Sequence, residues 1–486
     1  MDGSGSSGGI RVSRREFLRL SAVLAGLAAM RPGRSLVAAP SLPRPRVVHT
    51  YCERAVDWGF VTGWWGDHVD QDVVNDMVDR GVMELTGRKT RADAWRALIP
   101  NYVSGQRVAI KANFNNASSM DDSDNFIDAA IEPVNAVIAG LKEISVAESD
   151  IWIYDAVRSI PIRFQNGCDY PGVQFSGDWT SNPQGFSGTE TVSFDTPSGS
   201  QPLADQRISN VLVNADYLIN MPLMKKHCCA WVTLSFKNHF GSIQDCAALH
   251  GYTFPYEDDY TSAYSALVDI YKNQHFGSKT VLTIGDGLYG SRGDQGSVPE
   301  AWTTFSNESP RSLFFSQDPV AIDSVMYDFL EAEAGVQNHG DDYLALAANA
   351  GLGVFEHRAP GASSREEWYS QIDYRYLDMD QYVKLRGVWR DGTAYLEWNR
   401  PLHPNLAGYR VCYYSDSGGD ADQGPSPIEV SDPAQLTSQL TGLTMYCLYD
   451  FWLEPYDGNG DPLGESNRVP LMASDIVYHV PLATAG

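Results

Sequence analysis

The chain has 486 residues, 43% of them hydrophobic, which suits two or three domains with buried cores. Its formal charge is −25, and the first 39 residues hold six Arg against only Asp2 and Glu16, so the remainder is more acidic still. Such a surface argues against nucleic acid and anionic membrane as general partners, because both require a basic face. The seven cysteines (52, 168, 228, 229, 246, 412 and 447) contain no Cys-x-x-Cys pair. The ligand spacing of a zinc ribbon or a ferredoxin-type cluster is therefore missing, and no iron–sulfur cluster is expected. Most of the seven read as small buried hydrophobes. Cys412 and Cys447 could pair, which spacing alone does not decide.

Residues 1–39 read as an address. Ser13-Arg14-Arg15-Glu16-Phe17-Leu18-Arg19 precedes an uncharged run, Leu20 to Met30, that is too short to span a bilayer. It has the length of a signal-peptide core, and Val37-Ala38-Ala39 offers small residues for cleavage, although Pro40 follows directly. The motif resembles the twin-arginine export signal. That resemblance implies passage through the twin-arginine export machinery to the periplasm or the exterior. No later run approaches 18 apolar residues, so no stable membrane span is expected.

Residues 40–380 alternate short apolar runs with helical periodicity. Val73, Val74, Met77, Val78, Val82 and Leu85 recur at helical spacing, with Gly87 as a C-cap. Val108–Ile110 and Ile151–Tyr154 predict strands, and Ile127 to Leu141 predicts a helix with Pro133 kinking or dividing it. Residues 164–207, rich in Gly, Ser, Pro and Asn, read as a long excursion. Strands follow at Tyr217–Ile219, Val281–Ile284 and Leu313–Phe315, and helices at Val320–Leu330 and Tyr343–Ala350. This alternation predicts an α/β domain with a mostly parallel sheet flanked by helices. Five predicted strands end in polar residues: Lys111 and Asn113, Asp155, Asn220, Asp286, and Asp318. Ligands in open α/β sheets bind outside the carboxyl ends of strands, so these residues could line one crevice. Asp and Asn are also ordinary turn and N-cap residues, and Asp318-Pro319 is a standard helix start.

Residues 384–475 change character, to short alternating runs separated by Gly, Pro, Asn and Asp, which predicts a small all-β sandwich. Trp398 with Pro401, Gly408-Tyr409, the six-residue step from Leu443 to Tyr449, Tyr456-Asp457 and Glu465-Ser466 resemble a fibronectin type III domain. The segment offers no candidate catalytic residue. A spacer role, or binding to an extracellular polymer or partner, are its alternatives.

The stretch Asp216 to Asp245 concentrates Lys, His and Asn in an otherwise Lys-poor chain. Lys225, Lys226 and Lys237 bring point charges suited to phosphate or carboxylate, and Thr233 and Asn238 bring neutral hydrogen bonds. On a helix or a strand, Thr233 and Lys237 would share a face. His227 could be a general base, a metal ligand or a structural hydrogen-bonded residue, and His239 and His250 are further candidates.

Asn220-Met221-Pro222, Lys225, His227, Thr233, Lys237-Asn238 and Gly241 resemble the signature of the domain-of-unknown-function-362 family. So do Ile110-Lys111 with Asn113, Ala215-Asp216, Asp286-Gly287, and Asp318-Pro319-Val320-Ala321 with Asp323. The resemblance covers about 47–355. The chain departs from it in having Ala112 where Pro is common, and in lacking the cysteine segment many members carry. The resemblance implies little about activity, because that family's chemistry is unassigned. The expectation is an exported metal- or anion-dependent enzyme, with His227, Lys225 and Lys237 as catalytic candidates. Lys111, Asn113, Asn220, Thr233 and Asn238 would bind an anionic small molecule. Asp155, Asp286 and Asp318 could hold a divalent metal. The alternative is a non-catalytic ligand-binding or polymer-associated protein.

Overall fold

The structure, a computed structural model, describes residues 44–474 except 62, 118, 179–182, 199–201, 229, 253–262, 294–295, 336–339 and 416–425. The twin-arginine motif lies outside the described residues. Strands occur in chain order as β1 (Arg46–Tyr51), β2 (Val108–Lys111), β3 (Ile151–Asp155) and β4 (Gln174–Gly177), then β5 (Phe186–Val192) and β6 (Gln206–Ser209). They continue as β7 (Tyr217–Asn220), β8 (Leu223–His227), β9 (Trp231–Val232), β10 (Thr280–Ser291), β11 (Ser312–Ser316) and β12 (Asp373–Asp378). All but the separate pair β5 and β6 belong to one ten-stranded sheet, with path β12-β1-β11-β10-β7-β2-β3-β4. Its path strands are parallel except β11, which runs antiparallel to both β1 and β10.

Both faces of the sheet are covered, which explains the continuous apolar runs of its middle strands. Alternation sends Val108 and Ile110 to one side, where they join Val74, Val78, Trp95, Val134 and Ile138. Ala109 goes to the other side with Leu218, Phe236, Val320, Val325 and Leu344. Helix Gln71–Thr86 sits on the first side and closes on Gly87, whose φ of 67° is the left-handed cap conformation. Helix Pro319–Ala334 sits on the second.

Two sequence expectations shift. The helix expected from Ile127 begins at Ile131, so Pro133 falls in its first turn, where an N–H has no helical partner to lose and no kink is needed. The excursion 164–207 contains β4, an edge strand of the main sheet, together with β5 and β6.

After β12 come two antiparallel sheets. β13 (Leu385–Arg390), β14 (Thr393–Trp398), β15 (Leu406–Ser415), β16 (Ile428–Val430), β17 (Thr437–Thr441), β18 (Leu448–Asp457) and β19 (Val469–Met472) arrange as β13-β14-β17 and β16-β15-β18-β19. Leu396 and Trp398 from the first and Tyr409, Val411 and Phe451 from the second share one apolar cluster. Cys412 and Cys447 are both free thiols, so the pairing that spacing left open is not made. Among the described residues no helix is long and apolar enough to cross a membrane.

Candidate functional site

The register of the parallel strands gathers the polar ends. Lys111 pairs with Tyr154 on one side and Asn220 on the other, and Thr283 of β10 lies beside Asn220. At Met221-Pro222 the chain steps from β7 to β8. The Met221 N–H donates to the Lys111 carbonyl at 2.8 Å, and the Pro222 carbonyl accepts from the Asp286 N–H at 2.8 Å. β8 then continues beside β10, with Asp286 against Leu223 and Ser291 against Lys225. Four of the five expected strand ends therefore face one edge. The fifth does not: β11 runs the other way, so Asp318 leads away from that edge. Asp318 is an N-cap. Its Oδ1 accepts from the N–H groups of Val320 and Ala321, and its Oδ2 from Val354. Asp318→Ala is expected to lower stability by about 1–2 kcal/mol, read by urea denaturation, and to leave ligand binding unchanged.

The floor of the edge is a closed polar network. Lys111 is fully buried, and its Nζ donates to Asp155 Oδ2 (3.1 Å), Asn238 Oδ1 (3.2 Å) and the Ala112 carbonyl (2.5 Å). Asn113 Nδ2 also donates to Asn238 Oδ1 (3.1 Å), while Asn238 Nδ2 donates to Asn220 Oδ1 (2.8 Å) and the Lys111 carbonyl (3.2 Å). Asn220 Nδ2 completes the chain at the Ser235 carbonyl. Burial lowers the Lys111 pKa against the opposing pull of Asp155. Lys111, Asn113, Asn220 and Asn238, read from sequence as ligand-binding groups, are thus brought together and bonded to one another. Gly241 packs on this network: a Cβ there would lie 2.5 Å from Asp155 Oδ1 and 2.7 Å from Lys111 Cε and Nζ.

Above the floor lies a cationic group. Period-two alternation puts Lys225 and His227 on one face of β8. β9 folds back so that His227 pairs with Trp231, and the chain then enters the short buried helix Ser235–Asn238, which carries Lys237. Thr233 precedes this helix and shares no helical face with Lys237. Its hydroxyl donates to the carbonyls of Leu223 (2.8 Å) and Lys225 (3.2 Å) and so fastens β8. The sequence expectation that Thr233 acts beside Lys237 is corrected accordingly. The helix is set by Asp323, whose carboxylate accepts from the Ser235 and Phe236 N–H groups. His250 comes beside His227 with nearly parallel rings 6.2 Å apart, and its Nε2 lies 3.1 Å from Lys237 Nζ. Since an ammonium can only donate, His250 Nε2 is the acceptor and Nδ1 the donor, toward the Ala247 carbonyl at 3.2 Å.

Burial and then Lys237, Lys225, His250 and Arg158 depress the pKa of His227 to about 2. Burial, followed by Lys237, brings His250 down to about 4. Both rings are therefore neutral near pH 7. Arg158, three residues beyond β3, is the site member that the sequence reading missed. Its Nη2 donates to Asn115 Oδ1 at 3.3 Å. Among the described residues, Arg158 Nε and Asn115 Nδ2 are buried donors without a hydrogen-bond partner. His239 is structural: it is fully buried, its Nδ1 lies 3.4 Å from Ser242 Oγ, and Tyr271 and Phe276 pack edge-on.

The carboxylates expected as a metal set are not gathered. Asp155 is held by Lys111 and by the Phe114 and Val157 N–H groups, Asp286 by the Ala130 and Leu288 N–H groups, and Asp318 caps its helix. Burial raises Asp286 to about 6 and Glu132 to about 7. Among the described residues the group with ligand atoms close enough for one ion is Asp328, Glu331 and His357, away from these strand ends in the sequence.

The strand-end network and the helices that fix it fall within one recognisable unit. Residues 108–328 match the family model described as "Domain of unknown function (DUF362)". That DUF362 match starts at the first residue of β2 and takes in Lys111, the hairpin of β8 and β9, Lys237, Asp323 and Asp328. No curated protein matches the chain. Matching solved structures include the pectate lyase PelI of Erwinia chrysanthemi in complex with tetragalacturonic acid, at 18% identity over 18% of this chain and 28% of that one, with a TM-score of 0.15. They also include the fn3 domain of human contactin 1, at 13% identity over 19% of this chain and 75% of that one, TM-score 0.17. The spore cortex lytic enzyme SleM of Clostridium perfringens matches at 16% identity over 19% and 28%, TM-score 0.15. The chain thus spans little more than a quarter of the length of the two enzymes. Such TM-scores do not establish a shared overall fold.

Proposed function

We propose that the strand-end crevice binds a small anion, a phosphate or carboxylate group, and sets a neutral imidazole beside it for proton transfer. The observation that carries this reading is the grouping of Lys225 and His227 on one face of β8, with His250 beside His227 and Lys237 bonded to His250, together with the buried donors Arg158 Nε and Asn115 Nδ2. Lys and Arg are point-charge and forked anion binders respectively, and a mostly buried setting strengthens both. His227, neutral at pH 7 and on the same face as Lys225, is the proton acceptor once a bound anion offsets the neighbouring cations that depress its pKa; Lys225 and Lys237 hold the charge. Lys111, Asn113, Asn220 and Asn238 act as the rigid floor that positions them. An acid/base enzyme acting on an anionic substrate is the function this arrangement favours. We also read residues 1–39 as a twin-arginine export signal, supported by Arg14-Arg15 and the uncharged run that follows. Residues 384–475 read as a fibronectin type III-like sandwich, supported by the two-sheet strand order and by the Tyr449 hydroxyl accepting from the Thr444 N–H at 2.8 Å.

Calorimetric titration with inorganic phosphate and with small carboxylates tests the reading. Lys237→Ala is expected to weaken the tightest of these by about ten- to a hundredfold, the range of a charge-assisted hydrogen bond. The pH dependence has a definite sign. A bound anion raises the depressed pKa values of His227 and His250, so binding takes up protons and affinity increases as pH falls towards about 4, the value of His250 without the anion. Equal affinity in wild type and Lys237→Ala, or affinity independent of pH between 4 and 8, would sink the proposal.

A further inference from the structure

A second cluster of chemistry-bearing side chains lies outside the crevice. Asp328 and Glu331 are one turn apart near the end of helix Pro319–Ala334, and His357 reaches them from the segment that follows Leu352. One ligand atom from each of the three lies within 4.8 Å of the others. That is the spread a single cation can span with bonds of about 2.0–2.4 Å.

Asp328 is buried; its Oδ2 accepts from the Tyr369 hydroxyl (2.6 Å) and the Arg358 N–H (2.7 Å), which fix the carboxylate plane. Its Oδ1 faces His357 Nδ1 at 2.7 Å, and the other ring nitrogen, Nε2, meets Asp341 Oδ2 at 2.8 Å. A ring nitrogen oriented by a carboxylate is the usual support for a metal-bound imidazole. Glu331 is exposed and makes no ion pair among the described residues. The guanidinium of Arg358 is stacked on Trp368 at 3.8 Å and Phe329 at 4.9 Å.

We propose that Asp328, Glu331 and His357 bind one divalent cation of borderline hardness, Mn2+, Fe2+ or Zn2+. Two carboxylates with one imidazole suit these ions better than Ca2+, which takes six to eight oxygens, or Cu+, which favours sulfur. Bidentate Asp328 is prevented by its Tyr369 and Arg358 bonds, so three protein ligands leave positions open to water or a small ligand. The cation takes the place of the Nδ1 proton that His357 donates to Asp328, while the Nε2 proton stays directed at Asp341; one proton is released per ion bound, so binding strengthens as pH rises.

Titration of the full chain with Mn2+ alone, followed by electron paramagnetic resonance and calorimetry, tests the site, with Zn2+ as a second probe. Wild type is expected to bind one equivalent. Glu331→Gln, an exposed change that disturbs no packing, is expected to weaken it at least tenfold, and His357→Gln further. Lys237→Ala should leave the metal affinity unchanged, which keeps this result separate from the anion proposal. Absence of binding at millimolar Mn2+ and Zn2+, or wild-type affinity in Glu331→Gln, overturns the assignment.

Discussion

Lys111→Ala is expected to destabilise the protein by about 3–5 kcal/mol, measured from urea denaturation midpoints at constant slope. The Lys111–Asp155 pair has side-chain exposures of 0% and 4%, so water cannot replace the missing partner. Truncation would leave Asp155 with only the Phe114 and Val157 N–H groups and would remove a donor from Asn238. The loss should reach beyond stability, because Asn238 stands next to Lys237 on the same short helix. Gly241→Ala should reproduce much of the effect by a steric route, since its Cβ would strike both members of the pair. The double variant Lys111→Met, Asp155→Leu removes both charges together and should recover stability relative to Lys111→Ala, as buried ion pairs replaced by apolar groups commonly do. If Lys111→Ala alters stability by less than about 1 kcal/mol, the pair is not the buried anchor described here.

Asp323→Ala is the second large effect, expected at about 3 kcal/mol or more. Fully buried Asp323 receives the Ser235 N–H at 2.8 Å, the Phe236 N–H at 3.3 Å and the Tyr343 hydroxyl at 3.0 Å. Deletion leaves three buried donors without an acceptor, each costing about 1–3 kcal/mol before relaxation. It also frees the helix Ser235–Asn238, so the affinity for anions should fall although Asp323 touches no ligand. Desolvation raises the Asp323 pKa to about 7, opposed by the same hydrogen bonds. A carboxyl whose folded pKa lies above its unfolded value contributes stability that is complete below pH 4 and is lost as pH rises through about 7. Wild type should therefore lose stability over that window through Asp323, and Asp323→Ala should lose less. Identical pH slopes in the two proteins would contradict this account.

The candidate site was legible in part. Lys225, His227, Lys237 and Asn238 stood out because Lys is scarce elsewhere in the chain, and the structure brings them to one edge with Lys111 and Asn220. That Lys225 and His227 share a face became visible only once residues 223–227 were seen to form β8. Arg158 was not legible, because a single Arg in a loop carries no pattern; only its place just beyond the strand ending in Asp155 hinted at it. Thr233 was misplaced because both a helix and a strand would have put it with Lys237, whereas the chain makes a hairpin and then a single helical turn. Asp318 was read as a site candidate and as a cap; only the second role survives, because β11 reverses direction within the sheet.

What the sequence by itself determined is the layering. Apolar runs of three or four residues alternating with 3.6-residue periodicity demand a sheet covered on both faces, and local hydrophobic burial decides that without knowledge of neighbours. The change to period-two runs after residue 384 likewise separates the C-terminal sheets from the rest. Strand direction, register and the partners of buried charges are set by contacts between residues far apart in the chain. Tertiary structure alone therefore decided that β11 is antiparallel, that Lys111 pairs with Asp155 beneath Gly241, and that His357 meets Asp328. A buried charge takes whatever partner the fold brings within about 3 Å, and no local pattern in the chain encodes that distance.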